Sequence, residues 1–435
     1  TVPVLSIELP KNVFKSNLRR LCHRCWCGGQ LHSPLPGFPR TKNTSIRAAL
    51  FLLIKFPLPH WRGSSHGQTR IIRFSYVNPY YSKMVREAGE MWKEIEEKAE
   101  QEILIKTVGL LTVEGSSGEN LREVRESLDA AGASYDILSN QTLKQRFPEL
   151  SFPPHYKALL EHSAGILKAD KCLRVLQDQF IAFGGTLRDG EGVVEIHPGS
   201  LITIKTTKDL FKAHKVILTA GPWTNKLLKP VGITLPLKPL RANVFYWKVK
   251  KTGTYSLQSG FPTFYDDTAS DPRKFYALPS FEYPDMVKLE TILNYPYLKR
   301  LIFLSQFGPS GGCRLPEVCM EIDPDARDWD REIEERIIQR TREYIQHHFP
   351  YLDHHEPTIV ETCIYTLTPD ENFVLDKHPK FSNIIIGAGF SAHGFKLGPV
   401  CGKILAQLAM NETPTHDLTP FKISRFKFSQ QKSSL

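Results

Sequence analysis

The sequence lacks the features that mark a membrane-spanning or secreted chain. Its apolar run at residues 48–54 ends at Lys55. That run is far too short to cross a bilayer, which takes about 20 apolar residues. It also lies too far along the chain for an ordinary secretory signal. We therefore expect a soluble protein with no membrane partner.

Cysteine is scarce and irregularly spaced. The 435 residues include eight cysteines, at Cys22, Cys25, Cys27, Cys172, Cys313, Cys319, Cys363 and Cys401. Such spacing in a long chain indicates a reducing compartment rather than a disulfide framework. The first three, with His23, look like a metal cluster. No second pair stands at zinc-site spacing, so we predict no metal site.

Long basic runs are also absent, although the chain is basic overall. The formal charge is +10 and the pI is about 9.1, but Lys and Arg are dispersed. Without a basic segment interleaved with aromatics, we expect no nucleic-acid partner. The 41% hydrophobic content and the length indicate a globular chain of two domains. A cationic enzyme that holds a carboxylate substrate and an anionic cofactor fits this charge.

The element pattern is irregular at first and becomes orderly after Trp61. Residues 1–60 show no steady period and include S-P-L-P-G-F-P. Beyond them the periodicity predicts four helices and a strand, followed by a β-rich stretch. The helices are predicted at residues 85–103, 120–131, 140–147 and 328–348, the strand at 107–114, and the β-rich stretch at 226–290.

The segment at residues 361–400 combines a buried strand, a glycine turn and a helix. I-I-I-G-A-G-F-S-A-H-G-F-K leads into a helix predicted at 397–408, an arrangement that brings backbone N–H groups to a ligand. Lys396 stands where the helix dipole disfavours a cation, which indicates an anionic partner; a surface lysine is the alternative. A second turn of this kind, A-G-P-W-T-N, occupies residues 220–225.

The segment R-G-S-S-H-G-Q-T-R-I-I-R at residues 62–73 places Arg70, Arg73 and His66 among small residues. Small residues let a backbone approach a planar ligand closely. Arginine recognises a carboxylate through two parallel hydrogen bonds. A solvated basic loop is the alternative for this segment.

With these three features together, the chain resembles the sarcosine oxidase family of flavin amine oxidases. The likeness covers residues 59–289 and 322–426 and is strongest in H-W-R-G-S-S-H-G-Q-T-R-I-I-R, L-T-A-G-P-W-T-N and C-I-Y-T-L-T-P-D-E-N-F-V-L-D. It implies an α/β fold: a Rossmann-like FAD-binding domain of the GR2 type, interleaved with an α+β substrate domain built on a mixed β-sheet.

The resemblance also implies domain boundaries. The FAD-binding domain would comprise residues 59–90, 158–228 and 356–420. The substrate domain would comprise 91–157 and 229–355, with an atypical insertion at 290–320. Residues 1–58 would be an aberrant segment replacing the first βαβ unit, and 421–435 a tail.

Roles for individual residues follow from the resemblance. Cys363 would hold FAD covalently, through a thioether to the 8α carbon of the flavin. Arg73 and Lys396 would clamp the substrate carboxylate, Tyr276 would line the substrate side, and Lys288 would assist oxygen reduction. The implied cofactor contacts are Ser64, Ser65, His66, Thr69, Arg70, Val194, Gly221, Trp223, Gly389, His393, Gly394, Phe395 and Lys396, with Arg70 also counted as catalytic.

The implied activity is FAD-dependent oxidation of secondary amino acids, namely sarcosine and L-pipecolate, to an imine, with O2 reduced to H2O2. The alternatives are an oxidase of another N-alkyl amino acid, or a non-catalytic chain that lacks the dinucleotide-binding motif. The resemblance further implies a monomer in the peroxisome. The terminal Ser433, Ser434 and Leu435 resemble the S-K-L address without its basic residue, which would make the import receptor a partner.

The chain departs from the family at its start, where no G-x-G-x-x-G follows a strand. When the reading frame is shifted forward by one base, the codons of residues 22–33 can encode V-I-G-A-G-V-E-G-S-F-T-A. In the same frame residues 42–48 can encode R-I-L-L-L-E-Q, a strand ending in an acidic residue. We hypothesise that residues up to about 50 derive from a shifted reading frame; the hypothesis fails if the coding DNA lacks the motif in that frame.

A second departure begins at Glu290. The family continues after the Lys288 position with a short strand that includes a histidine, whereas E-T-I-L-N-Y-P-Y-L-K-R-L-I-F-L stands here. This stretch looks like retained non-coding sequence. The sequence therefore does not predict how the substrate-side strand continues.

Overall fold

The structure, a computed structural model, describes residues 4–7, 50–76, 78–105, 108–115, 119–268, 273–293, 322–326 and 331–426. Several sequence predictions fall outside these ranges. They are the cysteine and histidine cluster at 22–27, the shifted-frame motifs at 22–33 and 42–48, most of the insertion at 290–320, and the terminal tripeptide.

The helices begin and end close to the predicted positions. They are α1 Pro79–Ala99, α2 Glu119–Ala131, α3 Asn140–Arg146, α4 Ala169–Ala182, α5 Thr224–Leu228, α6 Arg331–His348 and α7 Gly398–Met410. The first starts six residues earlier than its periodicity predicts, because Pro79 takes the first helical turn, where its missing N–H costs nothing. Ser139 caps α3 by accepting a hydrogen bond from the Thr142 N–H.

A six-stranded sheet lies beside α1 and α7. Its strands, in sheet order, are β19 Val374–Lys377, β20 Ile384–Ala388, β13 Lys215–Leu218, β1 Val4–Ile7, β2 Leu50–Leu53 and β9 Thr186–Arg188. The pair β13 and β20 is parallel, so the glycine turns that follow these strands lie at the same edge of the sheet. The pair β2 and β9 is parallel too.

The strand β1 interrupts this parallel pattern. It pairs antiparallel with β13 on one side and with β2 on the other. In open α/β sheets, ligands bind beyond the carboxyl ends of parallel strands. Because β1 runs in the opposite direction, its amino end, not its carboxyl end, lies at the edge where β13 and β20 end.

An eight-stranded mixed sheet forms the second large layer. Its order is β18 Ile359–Leu367, β14 Lys238–Lys248, β17 Met286–Leu293, β16 Arg273–Leu278, β15 Thr263–Asp266, β5 Leu110–Glu114, β7 Lys157–Glu161 and β6 Tyr135–Leu138. Its neighbours pair antiparallel except β5 and β15, which pair parallel. Two three-stranded sheets complete the described strands: β3 Thr69–Ile72, β8 Gly165–Lys168 and β4 Leu104–Ile105, and β10 Val193–His197, β11 Ile202–Thr206 and β12 Leu210–Ala213.

Separate apolar cores support the two large sheets. Met84 and Trp92 of α1 pack in one core with Ile404 of α7. Trp247 and Phe264 of the eight-stranded sheet pack in the other with Phe349, just after α6. A fully buried large side chain contributes roughly 2 to 3 kcal/mol, so each core fixes its helix firmly on its sheet.

The strand β17 continues beyond the point where the sequence leaves the family pattern. It runs to Leu293, and Glu290 lies directly opposite Tyr276 of β16. The backbone hydrogen bonding of the neighbouring strand therefore extends the strand into the atypical segment. No helix among the described residues is both long enough and apolar enough to span a membrane.

Candidate active site

The segment at 62–73 is tied to the edge strand β18 of the eight-stranded sheet. The Ser64 hydroxyl donates to the Ile364 carbonyl. The two ring nitrogens of His66 lie 2.9 Å from the carbonyl oxygens of Gly63 and Thr362. Burial lowers the pKa of His66 to about 4, so the neutral ring donates only one of these hydrogen bonds at neutral pH.

Cys363 lies on β18, opposite Ala242 of β14. Its thiol is buried, and Sγ lies 3.6 Å from the Gly63 carbonyl oxygen. Burial raises the pKa of the Cys363 thiol, and the nearby Arg70 guanidinium opposes that rise. Burial outweighs the cation, so the pKa of this thiol stays above its ordinary value.

Arg70 is a cation held by carbonyl oxygens. Its guanidinium donates to the backbone carbonyls of Thr69, Ser64 and His66. It also lies 5.6 Å from the Phe395 ring. Gly67 has a positive φ of 95°, and a Cβ there would stand 3.2 Å from the guanidinium, so glycine permits this close approach.

Arg73 and Lys396 converge on one aromatic ring. The Arg73 guanidinium carbon lies 5.4 Å from the centroid of Tyr76, and Lys396 Nζ lies 5.8 Å from it. Arg73 also lies 4.9 Å from the centroid of Tyr265. Within the described part of the chain, neither cation forms an ion pair. Burial and the Arg73 charge lower the pKa of Lys396 to about 7.

Glu161 holds the backbone next to Arg73. This fully buried carboxylate accepts hydrogen bonds from the N–H groups of Phe74 and Ser75 at 2.7 and 3.2 Å. It also accepts one from the Ser163 hydroxyl at 3.0 Å. No local sequence pattern indicates this role, because the carboxylate lies 86 to 87 positions from its backbone donors.

Tyr276 faces a buried acid. Its hydroxyl is hydrogen bonded to the carboxyl group of Glu290, and both side chains interact electrostatically with Arg70. Burial raises the pKa of the Glu290 carboxyl, and Oε1 of this group has no hydrogen-bond partner. Tyr365 of β18 adds a second phenol to the cluster, and burial raises its pKa as well.

Lys288 lies between two carboxylates. Its Nζ is 3.4 Å from Oε1 of Glu282 and 3.8 Å from Oε1 of Glu290. Burial alone would raise the pKa of Glu282, but Lys288 and the hydroxyls of Thr69 and Tyr246 bring it below its ordinary value. Glu282 and Glu290 were not predicted as site residues. The sequence indicates them only weakly, as acids six positions before and two positions after Lys288.

The glycine turn after β20 brings the remaining C-terminal residues to this place. Gly389 has a φ of 63°, and a Cβ there would stand 2.3 Å from Thr368 Cγ2. His393 lies 3.4 Å from the Tyr76 hydroxyl, and burial lowers its pKa to about 3. Gly394 follows it, and Phe395 stacks on Trp92 with centroids 5.9 Å apart.

The other predicted cofactor contacts lie elsewhere on the six-stranded side. Gly221 stands at the turn after β13, and the Trp223 indole donates to Asp325 at 2.8 Å. Val194 is exposed on β10. Ser65 lies between Ser64 and His66 in the loop beside β18. Among the described residues, no hydrogen bond or ring contact joins Val194 or Trp223 to Cys363 or Arg70, and their roles stay predictions.

The site thus combines a buried thiol, four cations and the phenols of Tyr76, Tyr265, Tyr276 and Tyr365 around glycine-rich turns, an arrangement suited to an anionic planar cofactor and a carboxylate. Residues 50–408 match the family model of FAD dependent oxidoreductases. Peroxisomal sarcosine oxidase of Homo sapiens is 42% identical over 87% of this chain and 90% of its own length. Monomeric sarcosine oxidase of Arthrobacter sp. is 31% identical over 88% of this chain and 91% of its own length.

Solved structures of amino acid oxidases share this fold. NikD, described as an unusual amino acid oxidase essential for nikkomycin biosynthesis, superposes with a TM-score of 0.70 at 21% identity, over 86% of this chain and 91% of its own. Glycine oxidase from Geobacillus kaustophilus has a TM-score of 0.66 at 16% identity, over 88% and 93% of the chains. The predicted α/β fold is confirmed. The chain belongs to the FAD dependent oxidoreductase family, within which it is an oxidase of the sarcosine oxidase type.

The described residues fit the flavin end of FAD. The thiol of Cys363 is buried within electrostatic range of Arg70 and Lys288, and Gly67 leaves room for close approach to Arg70. Cations beside the ring suit the negative charge that a reduced flavin acquires. The reversed strand β1 does not place a carboxyl end at the edge where a phosphate-binding turn would follow it.

Proposed function

We propose that this chain oxidises secondary amino acids, with sarcosine and L-pipecolate as substrates, to an imine while O2 is reduced to H2O2. The observation that supports this most directly is the convergence of Arg73 and Lys396 on Tyr76 without an ion-pair partner among the described residues. Two half-buried cations that form no ion pair among the described residues, and on which the Glu161 carboxylate acts only at longer range, favour an anionic ligand. Relatives named sarcosine oxidase, up to 42% identical, support the choice of amine.

The clamp would orient the substrate. The planar guanidinium of Arg73 can form two parallel hydrogen bonds to a carboxylate. Lys396, just before α7, would add a second positive charge. Fixing the carboxylate places the adjacent C–H and the amine in one orientation, which lowers the entropic part of the barrier. Tyr276 would line the substrate side of the flavin site. The substrate amine must lose a proton so that its lone pair can assist C–H cleavage.

When bound, FAD supplies the electron acceptor for the C–H bond and passes the two electrons on to O2. Lys288 would contribute a positive charge close to the place where oxygen acquires negative charge. Arg70 would hold the loop at 64–69 against the ring. The imine product then hydrolyses in water.

We assign covalent attachment of FAD to Cys363. The sulfur is buried and lies within electrostatic range of Arg70 and Lys288, both of which favour the thiolate needed for a thioether. Acid precipitation of the purified protein tests this. A yellow pellet supports a covalent bond, whereas a yellow supernatant over a colourless pellet means that FAD is bound without one.

Two alternatives remain distinguishable by experiment. The first is an oxidase of another N-alkyl amino acid, for which peroxide release would be faster with that compound than with sarcosine or L-pipecolate. The second is a non-catalytic chain without the dinucleotide motif, an alternative raised by the sequence of residues 1–60 and by the reversed β1. A protein that is colourless after purification with FAD would support this second alternative.

The names of two relatives support a peroxisomal location, and those of others support a monomer. We propose both for this chain, with the import receptor as a partner of the C-terminus. Co-migration with a peroxisomal marker in cell fractionation tests the location. Loss of co-migration after deletion of residues 433–435 tests the receptor.

A further inference from the structure

Glu282 connects three strands that each contribute to the site. It stands in the turn between β16 and β17, and its carboxylate is only 4% exposed. It accepts hydrogen bonds from the hydroxyls of Thr69 on β3 and Tyr246 on β14. Oε1 lies 3.4 Å from Nζ of Lys288 on β17. The Glu282 carboxylate therefore contacts Thr69, which is a predicted cofactor contact, and Lys288, which is predicted to assist oxygen reduction. It also contacts the phenol of Tyr246.

Lys288 has a second carboxyl group nearby, on its own strand. Glu290 Oε1 lies 3.8 Å from Nζ, and this oxygen has no hydrogen-bond partner. The two carboxyl groups differ in their surroundings, because partners lower the pKa of Glu282 whereas burial raises that of Glu290. The carboxyl group whose surroundings favour the ionised form is therefore the one that bridges β3, β14 and β17.

We propose that Glu282 is a positioning residue, which holds the Lys288 ammonium and the Thr69 hydroxyl in fixed places for the oxygen half of the reaction. A lysine side chain on its own samples many rotamers. Without Glu282 the ammonium keeps only the Glu290 carboxyl group as an acidic neighbour, 3.8 Å away, and would no longer be held in one place. This inference rests on the proposed function, because it takes Lys288 as the group that assists oxygen.

The principal test compares Glu282→Gln with the wild-type holoenzyme. Glutamine keeps the shape of the side chain and its ability to accept hydrogen bonds but removes the charge that holds Lys288. We expect the rate of flavin reoxidation by O2 to fall about tenfold, equivalent to about 1.4 kcal/mol, while flavin reduction by substrate under anaerobic conditions changes less than about twofold.

A binding measurement gives a readout that does not depend on turnover. Sulfite binds oxidised flavins and leaves negative charge on the ring, so its dissociation constant reports a cation next to the ring. We expect this constant to rise about tenfold in Glu282→Gln, since one displaced charge is worth about 1.4 kcal/mol. Glu282→Asp retains the charge with one methylene fewer. Its sulfite dissociation constant should lie between those of the wild type and Glu282→Gln.

Glu361→Gln is the matched control. Glu361 also lies near the Tyr246 hydroxyl, at 3.4 Å, and accepts from Tyr283 at 3.0 Å. Removing its charge alters the same neighbourhood without removing the partner of Lys288. We expect it to leave both the reoxidation rate and the sulfite constant within about twofold of wild type.

A double-mutant cycle shows whether Glu282 acts through Lys288. In a Lys288→Met background, Glu282→Gln should have no further effect on reoxidation. The inference is overturned if both effects are additive, or if Glu282→Gln lowers reduction and reoxidation equally. If Glu282→Gln does not fold, Glu282→Asp is judged by the same cycle. A wild-type protein whose flavin is not reduced by any secondary amino acid contradicts the proposed function instead.

Discussion

Arg73 and Lys396 face the same ring, that of Tyr76, at 5.4 and 5.8 Å from its centroid, although 322 residues of the sequence separate them. The first follows β3 and the second precedes α7. Folding brings them together because α1 packs against α7 in a common apolar core, with Tyr76 just before α1. Two cations distant in sequence are thereby brought to one ring, as the proposed carboxylate clamp requires.

Removing one cation should weaken the substrate complex strongly. We predict that Arg73→Met lowers kcat/KM for sarcosine about 100-fold, close to 3 kcal/mol, because the carboxylate loses a bidentate partner. Initial rates of peroxide release measure this. Lys83→Met removes an exposed cation from α1 and should leave kcat/KM unchanged; equal losses in the two variants would show that net charge, not the clamp, matters.

Carboxylate affinity should depend on pH through Lys396. Its pKa of about 7 in the free protein means that it is charged below pH 7 and neutral above. A bound carboxylate favours the charged form, so binding above pH 7 takes up a proton and weakens up to about tenfold per pH unit. Methoxyacetate, which has oxygen in place of the amine nitrogen of sarcosine, isolates this effect in calorimetric titrations.

The matched variant for that titration is Lys396→Arg, since arginine stays charged. Its affinity for methoxyacetate should be the same at pH 6 and pH 9. A wild-type affinity that is constant over this range would exclude a titrating lysine in the carboxylate site.

Among the described cysteines, one should be required for colour in the acid pellet. We predict that Cys363→Ser folds and yields a colourless pellet, because a serine hydroxyl has no accessible anion to form the bond. Cys401→Ser is the control, as Cys401 is also buried but lies on α7, where burial alone shifts its pKa. Absorbance of the redissolved pellet distinguishes them, and colour retained in Cys363→Ser would refute the attachment site.

Acid should destabilise the fold through two buried histidines. The pKa values of His66 and His393, about 4 and about 3, are below those of the unfolded chain, near 6.5. Their neutral forms therefore stabilise the fold fully above pH 6.5, and this contribution is lost progressively as pH falls from 6.5 to the folded values. For His66 alone it amounts to about 3 kcal/mol.

Urea unfolding at pH 7.5 and pH 5 measures this loss. His66→Gln should reduce the difference in free energy of unfolding between the two pH values. His197→Gln, at an exposed position on β10, should leave the difference as in wild type. An identical pH dependence in wild type and His66→Gln would contradict the assignment.

The sequence predicted the local elements well because periodicity is a local property. The helix at 120–131 starts within one residue of α2, and the glycine turn after I-I-I precedes α7 as expected. The sequence allowed the residues that surround Arg70 to be assigned to one site, because they all lie in the segment at 62–73. The family resemblance, not periodicity, joined that segment to Cys363, almost 300 positions later.

Other parts of the site could not be predicted from local pattern. Three buried acids can be recognised as part of the site only from the partners that the folded sheets place beside them: Glu161, Glu282 and Glu290. A buried carboxylate and a solvated one look alike in sequence, and acids are usually exposed. The reversal of β1 was equally unpredictable, since a short apolar strand has no intrinsic direction.

The most direct test of the proposed function is anaerobic titration of the purified holoprotein with sarcosine and with L-pipecolate, followed by admission of O2. We predict that the flavin absorbance near 450 nm is bleached by either substrate, and that O2 restores it with about one H2O2 formed per flavin. A protein that retains no flavin, or a flavin that neither amine bleaches, would contradict the account.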